Sequence, residues 1–213
     1  MYQQYFKRGI DFVLSFIGII MLSPVLIAIC VAIKLDSKGP IIFKQKRVGK
    51  NKTHFNIYKF RTMKIDTPKE MPTHLLEDPD IFITKVGKFL RKTSLDELPQ
   101  LFNILKGEMA VIGPRPALWN QYDLIDERDK YQANEIRPGL TGLAQISGRD
   151  ELEITKKAIL DGQYRMKINL FNDCRYFLYT FRSVFKSEGI KEGAYTNSSK
   201  ENLNEKNTDN WRK

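Results

Sequence analysis

Asp96 and Glu97 stand side by side in the string SLDELPQ, residues 94–100, of a chain that carries 35 Lys and Arg against 25 Asp and Glu. Such a pair can serve two kinds of chemistry. Carboxylate oxygens are hard donors suited to Mg2+, which takes one or two of them and fills its other positions with water and substrate phosphate. A carboxylate can also attack phosphorus and form an acyl phosphate, dividing a transfer into two steps. A structural reading competes with both, because Ser94 and Glu97 have the S-x-x-E spacing of a capping box. Pro99 weighs against it: in a helix capped by Ser94, Pro99 would fall where a backbone amide should already donate to Leu95. A helix starting nearer Pro99 leaves both acids in its N-terminal approach, where the macrodipole favours the carboxylate form. The residues alone leave structure and chemistry equally open.

Neither use of the pair needs histidine, and His54 and His74 are isolated, which suits surface or structural roles. No Cys and His spacing suggests zinc, and there is no P-loop or G-x-G-x-x-G fingerprint. Cys30 lies in an apolar run and Cys174 in a mixed aromatic segment, so no disulfide framework is indicated and a reduced, cytoplasm-facing protein is the simplest reading. The net charge of +10 implies an anionic partner: nucleic acid, an anionic membrane surface or a phosphorylated substrate. With 213 residues, 42% of them hydrophobic, the chain can bury a core and is not a disordered adaptor.

The elements that must carry the pair begin with Phe12 to Ile33, 22 residues without a charge. That length crosses about 30 Å of hydrocarbon as one helix. A cleaved signal and a buried soluble helix are the rivals; the run is long for a signal core and lacks a small-residue cleavage pattern. Ser23-Pro24 at its centre predicts a break or kink. Lys7 and Arg8 precede the run and Lys34, Lys38, Lys44, Lys46 and Arg47 follow it, so charge bias gives no clear spanning orientation. A helix-break-helix that enters one leaflet and returns satisfies both flanks and is favoured over a kinked spanning helix, the alternative left because Pro is also tolerated in ordinary membrane helices. Asp11 is expected to pair with Arg8 at the interface, since an unpaired carboxylate there would be costly.

Lys34 to Lys64 holds ten Lys and Arg and one acid, Asp36. Within it, residues 41–49 and 53–63 alternate apolar and polar around Lys50-Asn51-Lys52 and predict a β-hairpin. Phe55, Ile57 and Tyr58 would face inward, and Lys59 and Arg61 would share a face. Ile81 to Lys92 reads as an amphipathic helix with Val86, Phe89 and Leu90 inward. Pro99 to Lys106 reads as a helix stopped by Gly107. Met109 to Ile112 is a short strand or loop leading to the stiff Gly113-Pro114-Arg115-Pro116. Ala117 to Ile136 is helical in pattern, Arg137 to Gly142 a Gly-rich loop, and Leu143 to Arg149 a strand and turn. Leu152 to Ile168 and Leu170 to Lys186 are helices; core packing is the favoured reading of the aromatic residues Phe171, Tyr176, Phe177, Tyr179, Phe181 and Phe185, over an interfacial membrane contact. The polar residues from Ser187 onward read as a disordered tail.

The run LRKTSLDELPQLFNILKGEMAVIGPRP, with FKQKRVG, FNIYKFRTM and the broken apolar segment behind Lys7 to Asp11, resembles the bacterial sugar transferase family, the monotopic polyprenyl-phosphate phosphoglycosyl transferases. The likeness covers about Tyr5 to Arg149 and is looser beyond, where Asp161, Tyr164 and Asp173 occupy family-like places. The resemblance implies that Asp96 attacks the β-phosphate of a UDP-sugar and expels UMP, and that Glu97 holds Mg2+ against the diphosphate. Membrane polyprenyl (undecaprenyl) phosphate then takes the phosphosugar. It further implies phosphate or nucleotide contact for Arg91, Arg115 and Arg149, a nucleotide-side role for Pro114-Arg115-Pro116, substrate contact for Lys59 and Arg61, and an anchor containing Arg8, Asp11, Ser23 and Pro24.

The expected fold is α/β and mostly helical: a single membrane-associated catalytic domain with a re-entrant anchor (1–35), a cytoplasmic transferase domain with a small β-hairpin (36–186) and a polar tail (187–213). The expected setting is the cytoplasmic face of a bacterial cell membrane, at the start of surface glycan synthesis, with no nucleic acid partner. One rival is a non-catalytic, membrane-anchored basic module that binds anionic lipid or nucleic acid; it accounts for the charge but not for an acidic pair among arginines. A second is an enzyme that spans the membrane and transfers phosphosugar without a covalent intermediate. The sugar, the downstream glycan and self-association as a homo-oligomer are left open.

Overall fold

The computed structural model describes residues 1–67, 79–148 and 152–186. Arg149, the stretch 68–78 and the tail from Ser187 lie outside the described residues.

The apolar run forms one helix, α1 (Lys7–Asp36), entered through a π-helical turn at Tyr2–Phe6. Pro24 sits inside α1, so the expected helix-break-helix is not divided into two helices. The reason is local. Pro24 has no N–H to offer the Ile20 carbonyl, and the Ser23 hydroxyl donates to that carbonyl instead, at 2.8 Å. One face of α1 lies on the protein from end to end. Near its start the Arg8 guanidinium donates to the carbonyls of Ile104 and Leu105, at 2.5 and 2.7 Å, and Asp11 accepts from the Val111 amide. Ile19 and Leu22 meet the main core of Ile57, Leu101, Ile104, Met109, Val111, Ile112, Ile136 and Tyr164. Ile29 and Ile33 are buried with Phe60 and Leu90, and Asp36 accepts from the Val86 amide. The other face, including Phe12, Phe16, Ile20, Met21, Ile27 and Val31, is exposed. The expected Arg8–Asp11 pair is not formed: Lys7 is the cation nearest Asp11, at 3.7 Å, while Arg8 is drawn to the end of a neighbouring helix.

The β-hairpin is present, β1 (Ile42–Val48) antiparallel to β2 (His54–Phe60), with Asn51 and Lys52 in the left-handed region at its turn. Ile57 is buried and Phe55 packs on the core. Tyr58 faces the other way, with Lys44 and Lys106 against its ring. The helix expected over Ile81 to Lys92 is divided into α2 (Pro79–Phe82) and α3 (Lys85–Lys92) by Thr84, whose hydroxyl caps the Gly87 amide. Gly87 lets α3 approach β2's exit, since a Cβ there would lie 2.1 Å from the Thr62 carbonyl oxygen. Leu90 is inward as expected, but Phe89 is 60% exposed.

Ser94 adopts a left-handed φ of 56° with no side-chain cap, so the capping box is not formed. Leu95–Glu97 is a single 3-10 turn, and α4 (Gln100–Lys106) runs from Pro99 to a left-handed Gly107, close to the expected bounds. β3 (Ala110–Ile112) is followed, after α5 (Tyr122–Asp129) and a 3-10 turn at Ala133–Glu135, by β4 (Gly139–Thr141), parallel to β3. Two expectations are corrected here. The Gly-rich segment is a strand, because Gly139 lets the chain press against Gly113: a Cβ would lie 2.1 Å from its nitrogen. The strand expected after it is a short helix, α6 (Leu143–Ile146). Only part of Ala117 to Ile136 is helical.

α7 (Ile154–Met166) and α8 (Leu170–Lys186) complete the fold. Arg128 of α5 and Asp161 of α7 form a buried ion pair at 2.6 Å. On α8, Tyr176 meets Tyr164 edge-on in the core, but Phe171, Phe177 and Tyr179 are exposed, so core packing accounts for only part of the aromatic set. The side chains of Phe181 and Phe185 lie outside the description.

Candidate active site

The acidic pair is placed by two elements locked together behind it. Asn103 of α4 is fully buried; its side chain accepts from the Tyr58 amide at 3.0 Å and donates to the Asn56 carbonyl at 2.8 Å, fixing α4 to β2. The 3-10 turn leading into α4 carries Asp96 and Glu97, and β2 carries Lys59. Lys59 Nζ lies 2.8 Å from Glu97 Oε1 and 3.8 Å from Asp96 Oδ2. Arg115 also reaches Glu97, with one terminal nitrogen 2.9 Å from Oε1 and the other 3.5 Å from Oε2. Arg91, in the last turn of α3, contributes its positive charge to Asp96.

These surroundings drive the two acids apart. Burial raises the Asp96 carboxyl above its usual range; the Lys59 charge opposes this and the neighbouring Glu97 carboxylate adds to it. Burial would raise Glu97 as well, but Arg115 and Lys59 together hold it well below the ordinary carboxylate range. Glu97 is thus held in its ionised form, and Asp96 is the more basic of the two carboxylates. Two carboxylates with opposed environments is the pattern by which paired acids take separate roles.

Among the expected site residues, Lys59, Arg91, Asp96, Glu97 and Arg115 converge. Pro114 and Pro116 bracket Arg115, their carbonyls taken by the Gly139 amide at 2.8 Å and the Arg47 guanidinium at 3.0 Å. Arg61 is not brought to the pair. β2 ends at Phe60, and Arg61 turns to the α1–β1 junction, donating to the Lys38 and Ser37 carbonyls and the Ser37 hydroxyl. Ser23 and Pro24 lie within α1. Arg47, read from the sequence only as a flanking cation, comes close enough to Arg115 and Glu97 to feel both charges. Strand alternation held the clue: Phe43 pairs with Lys59, so Phe43, Gln45 and Arg47 share the Lys59 side of the hairpin.

The pair's donor set suits Mg2+, with two adjacent carboxylates and no histidine or thiol among them. Among the described residues no group of three or more Asp, Glu, His or Cys gathers as a self-sufficient cage. A metal here would draw its remaining ligands from water and substrate. Both Glu97 oxygens already accept from Lys59 or Arg115. Metal and cations would thus have to share or exchange that carboxylate.

Residues 2–187 match a protein family described as bacterial sugar transferase. The chain is 41% identical over 203 residues to a UDP-glucose:undecaprenyl-phosphate glucose-1-phosphate transferase of Klebsiella pneumoniae, a match covering 89% of this chain and 41% of that protein. It is 40% identical over 200 residues to the galactosyl transferase CpsE of Streptococcus agalactiae, covering 87% of this chain and 43% of the relative. To the uncharacterized sugar transferase EpsL of Bacillus subtilis it is 37% identical over 186 residues, 87% of this chain and 90% of the relative. The chain thus spans less than half of the first two relatives and most of the third.

Proposed function

Because the chain belongs to the bacterial sugar transferase family, we propose that it transfers a phosphosugar from a UDP-sugar to undecaprenyl phosphate at the cytoplasmic face of the cell membrane, opening the synthesis of a surface glycan. The observation that carries this reading is the split environment of Asp96 and Glu97 beneath Lys59, Arg91 and Arg115. In the first step an Asp96 carboxylate oxygen attacks the β-phosphorus, the bond from that phosphorus to the bridging oxygen breaks, and its electron pair leaves with UMP. In the second an oxygen of undecaprenyl phosphate attacks the same phosphorus and Asp96 departs as carboxylate. Lys59, Arg91 and Arg115 orient the diphosphate and balance its charge, which is most of what phosphoryl transfer asks of a protein. Glu97, with the substrate phosphates, would hold Mg2+, which when bound neutralises the diphosphate and the leaving UMP. Purified protein with undecaprenyl phosphate is expected to release UMP from at least one of UDP-glucose, UDP-galactose and their N-acetylated forms; no UMP from any of them would leave only the basic-module reading.

Both ends of α1 are bonded to one folded body, Arg8 to α4 and Asp36 to α3, while its outward face is apolar and exposed. A helix crossing the bilayer would carry those ends to opposite sides. The arrangement supports an anchor that enters one leaflet only. Cysteines placed at Gln3 or Lys38, both exposed, in a chain lacking Cys30 and Cys174, are expected to react with an impermeant maleimide only after permeabilisation. Labelling of the Gln3 position alone in intact cells would establish a spanning helix.

A further inference from the structure

The strap Pro114-Arg115-Pro116 is held to the hairpin from outside the acidic pair. Arg47 donates through one terminal nitrogen to the Pro116 carbonyl at 3.0 Å and through the other to Gln45 Oε1 at 2.7 Å. The Val48 amide donates to the Ala117 carbonyl at 3.0 Å, and Arg47 forms a backbone bridge with Leu118. The backbone bonds hold Ala117 and Leu118, at the strap's exit, to β1, while the Arg47 side chain reaches back to Pro116, next to Arg115. The side chain also adds a buried cation close to the site. Its Nε is buried without a hydrogen-bond partner among the described residues. Burial, with Arg115 nearby, lowers the guanidinium to about 10, which still leaves it charged at neutral pH. A buried cation next to a second cation disfavours the empty site, and an entering anion relieves it.

We propose that Arg47 is a positioning residue for the transfer: it fixes the strap so that Arg115 faces Glu97, and its charge makes that side of the site receptive to the nucleotide diphosphate. The inference rests on the function proposed above. Two effects follow, and two substitutions separate them. Arg47→Met removes both, whereas Arg47→Lys keeps the charge but cannot hold Pro116 and Gln45 in the same forked geometry.

The test uses the full chain in detergent and measures UDP affinity by calorimetry, UMP-release kinetics with the accepted UDP-sugar, and thermal unfolding. Arg47→Met is expected to weaken UDP binding about tenfold and to lower kcat about tenfold besides. Arg47→Lys is expected to bind UDP within about threefold of the parent while its kcat stays low. A purely structural role would lower the unfolding temperature of both variants with no such split. Parent-like UDP affinity and kcat in Arg47→Met would overturn the inference. If that variant does not fold, a folded Arg47→Lys with parent-like kcat overturns it instead. A parent that releases no UMP with any UDP-sugar sinks the transfer reading and this inference with it, whereas an active parent beside an unaffected Arg47→Met sinks only the inference.

Discussion

Asp96→Asn is expected to lower turnover by at least about 1,000-fold, the loss that follows when a covalent step is denied its nucleophile. The substitution keeps the shape of the side chain and leaves Lys59 and Arg115 each paired with Glu97. UDP binding should therefore survive, and only chemistry should fail. With a UDP-sugar labelled in the β-phosphate and no acceptor, the parent should retain label on denatured protein and Asp96→Asn should retain none. Substantial turnover in Asp96→Asn would rule out the aspartyl intermediate. The pH profile supplies a second check. Only the ionised carboxylate attacks, and burial has raised the Asp96 pKa, so kcat/KM should fall on the acid side at a pH above the ordinary carboxylate range. Glu97, held low by Arg115 and Lys59, stays ionised through that window. Because Lys59 lowers the Asp96 pKa, Lys59→Met should move the acid limb to higher pH as well as slow the reaction.

Pro99 weighed against the register in which Ser94 and Glu97 would cap a helix, and no such cap forms; a chemical role for the pair came only from the family resemblance. Lys59 was legible and Arg61 misleading for one reason: alternation puts residues two apart on one face only while the strand lasts, and β2 ends between them. Arg47 was obscured by the many cations around it, although hairpin pairing sets it on the Lys59 side. Glycine misled at Gly139, where flexibility suggested a loop but lack of a side chain served two closely packed strands. The exposed Phe89 of α3 and Phe171 of α8 expose a hidden premise: reading large apolar residues as inward presumes that every apolar face is buried within the protein, whereas α1 and α8 both leave large apolar side chains exposed. Ser23 shows the finest grain. Proline at 24 announced a break, and the serine before it supplied the bond that keeps the helix continuous.

What local pattern could not show was how the start of α1 is coupled to the acidic pair, because the residues that do it are far apart in sequence. Lys7 Nζ lies 2.7 Å from Asp173 of α8 and 3.7 Å from Asp11, and all three side chains are buried. Tyr2 donates to the same Asp173 oxygen, and Tyr164 bonds to the other. Lys7→Met would leave two buried carboxylates facing each other with no cation between them, a loss expected to destabilise the fold by about 3–5 kcal/mol. Lys7→Met/Asp173→Asn removes one of the stranded charges and keeps side-chain volume, so it should be more stable than Lys7→Met alone; thermal unfolding of the parent, both single variants and the double closes the cycle. Equal stability of Lys7→Met and the double variant would show that the charges are not coupled. The consequence for chemistry runs through α4. Arg8, beside Lys7, holds the last carbonyls of α4, and the first turn of α4 follows directly on Asp96 and Glu97. Loosening the start of α1 thus frees the far end of the helix that follows the acidic pair, and on the proposed mechanism Lys7→Met should lose turnover below its unfolding temperature while its affinity for UDP changes less.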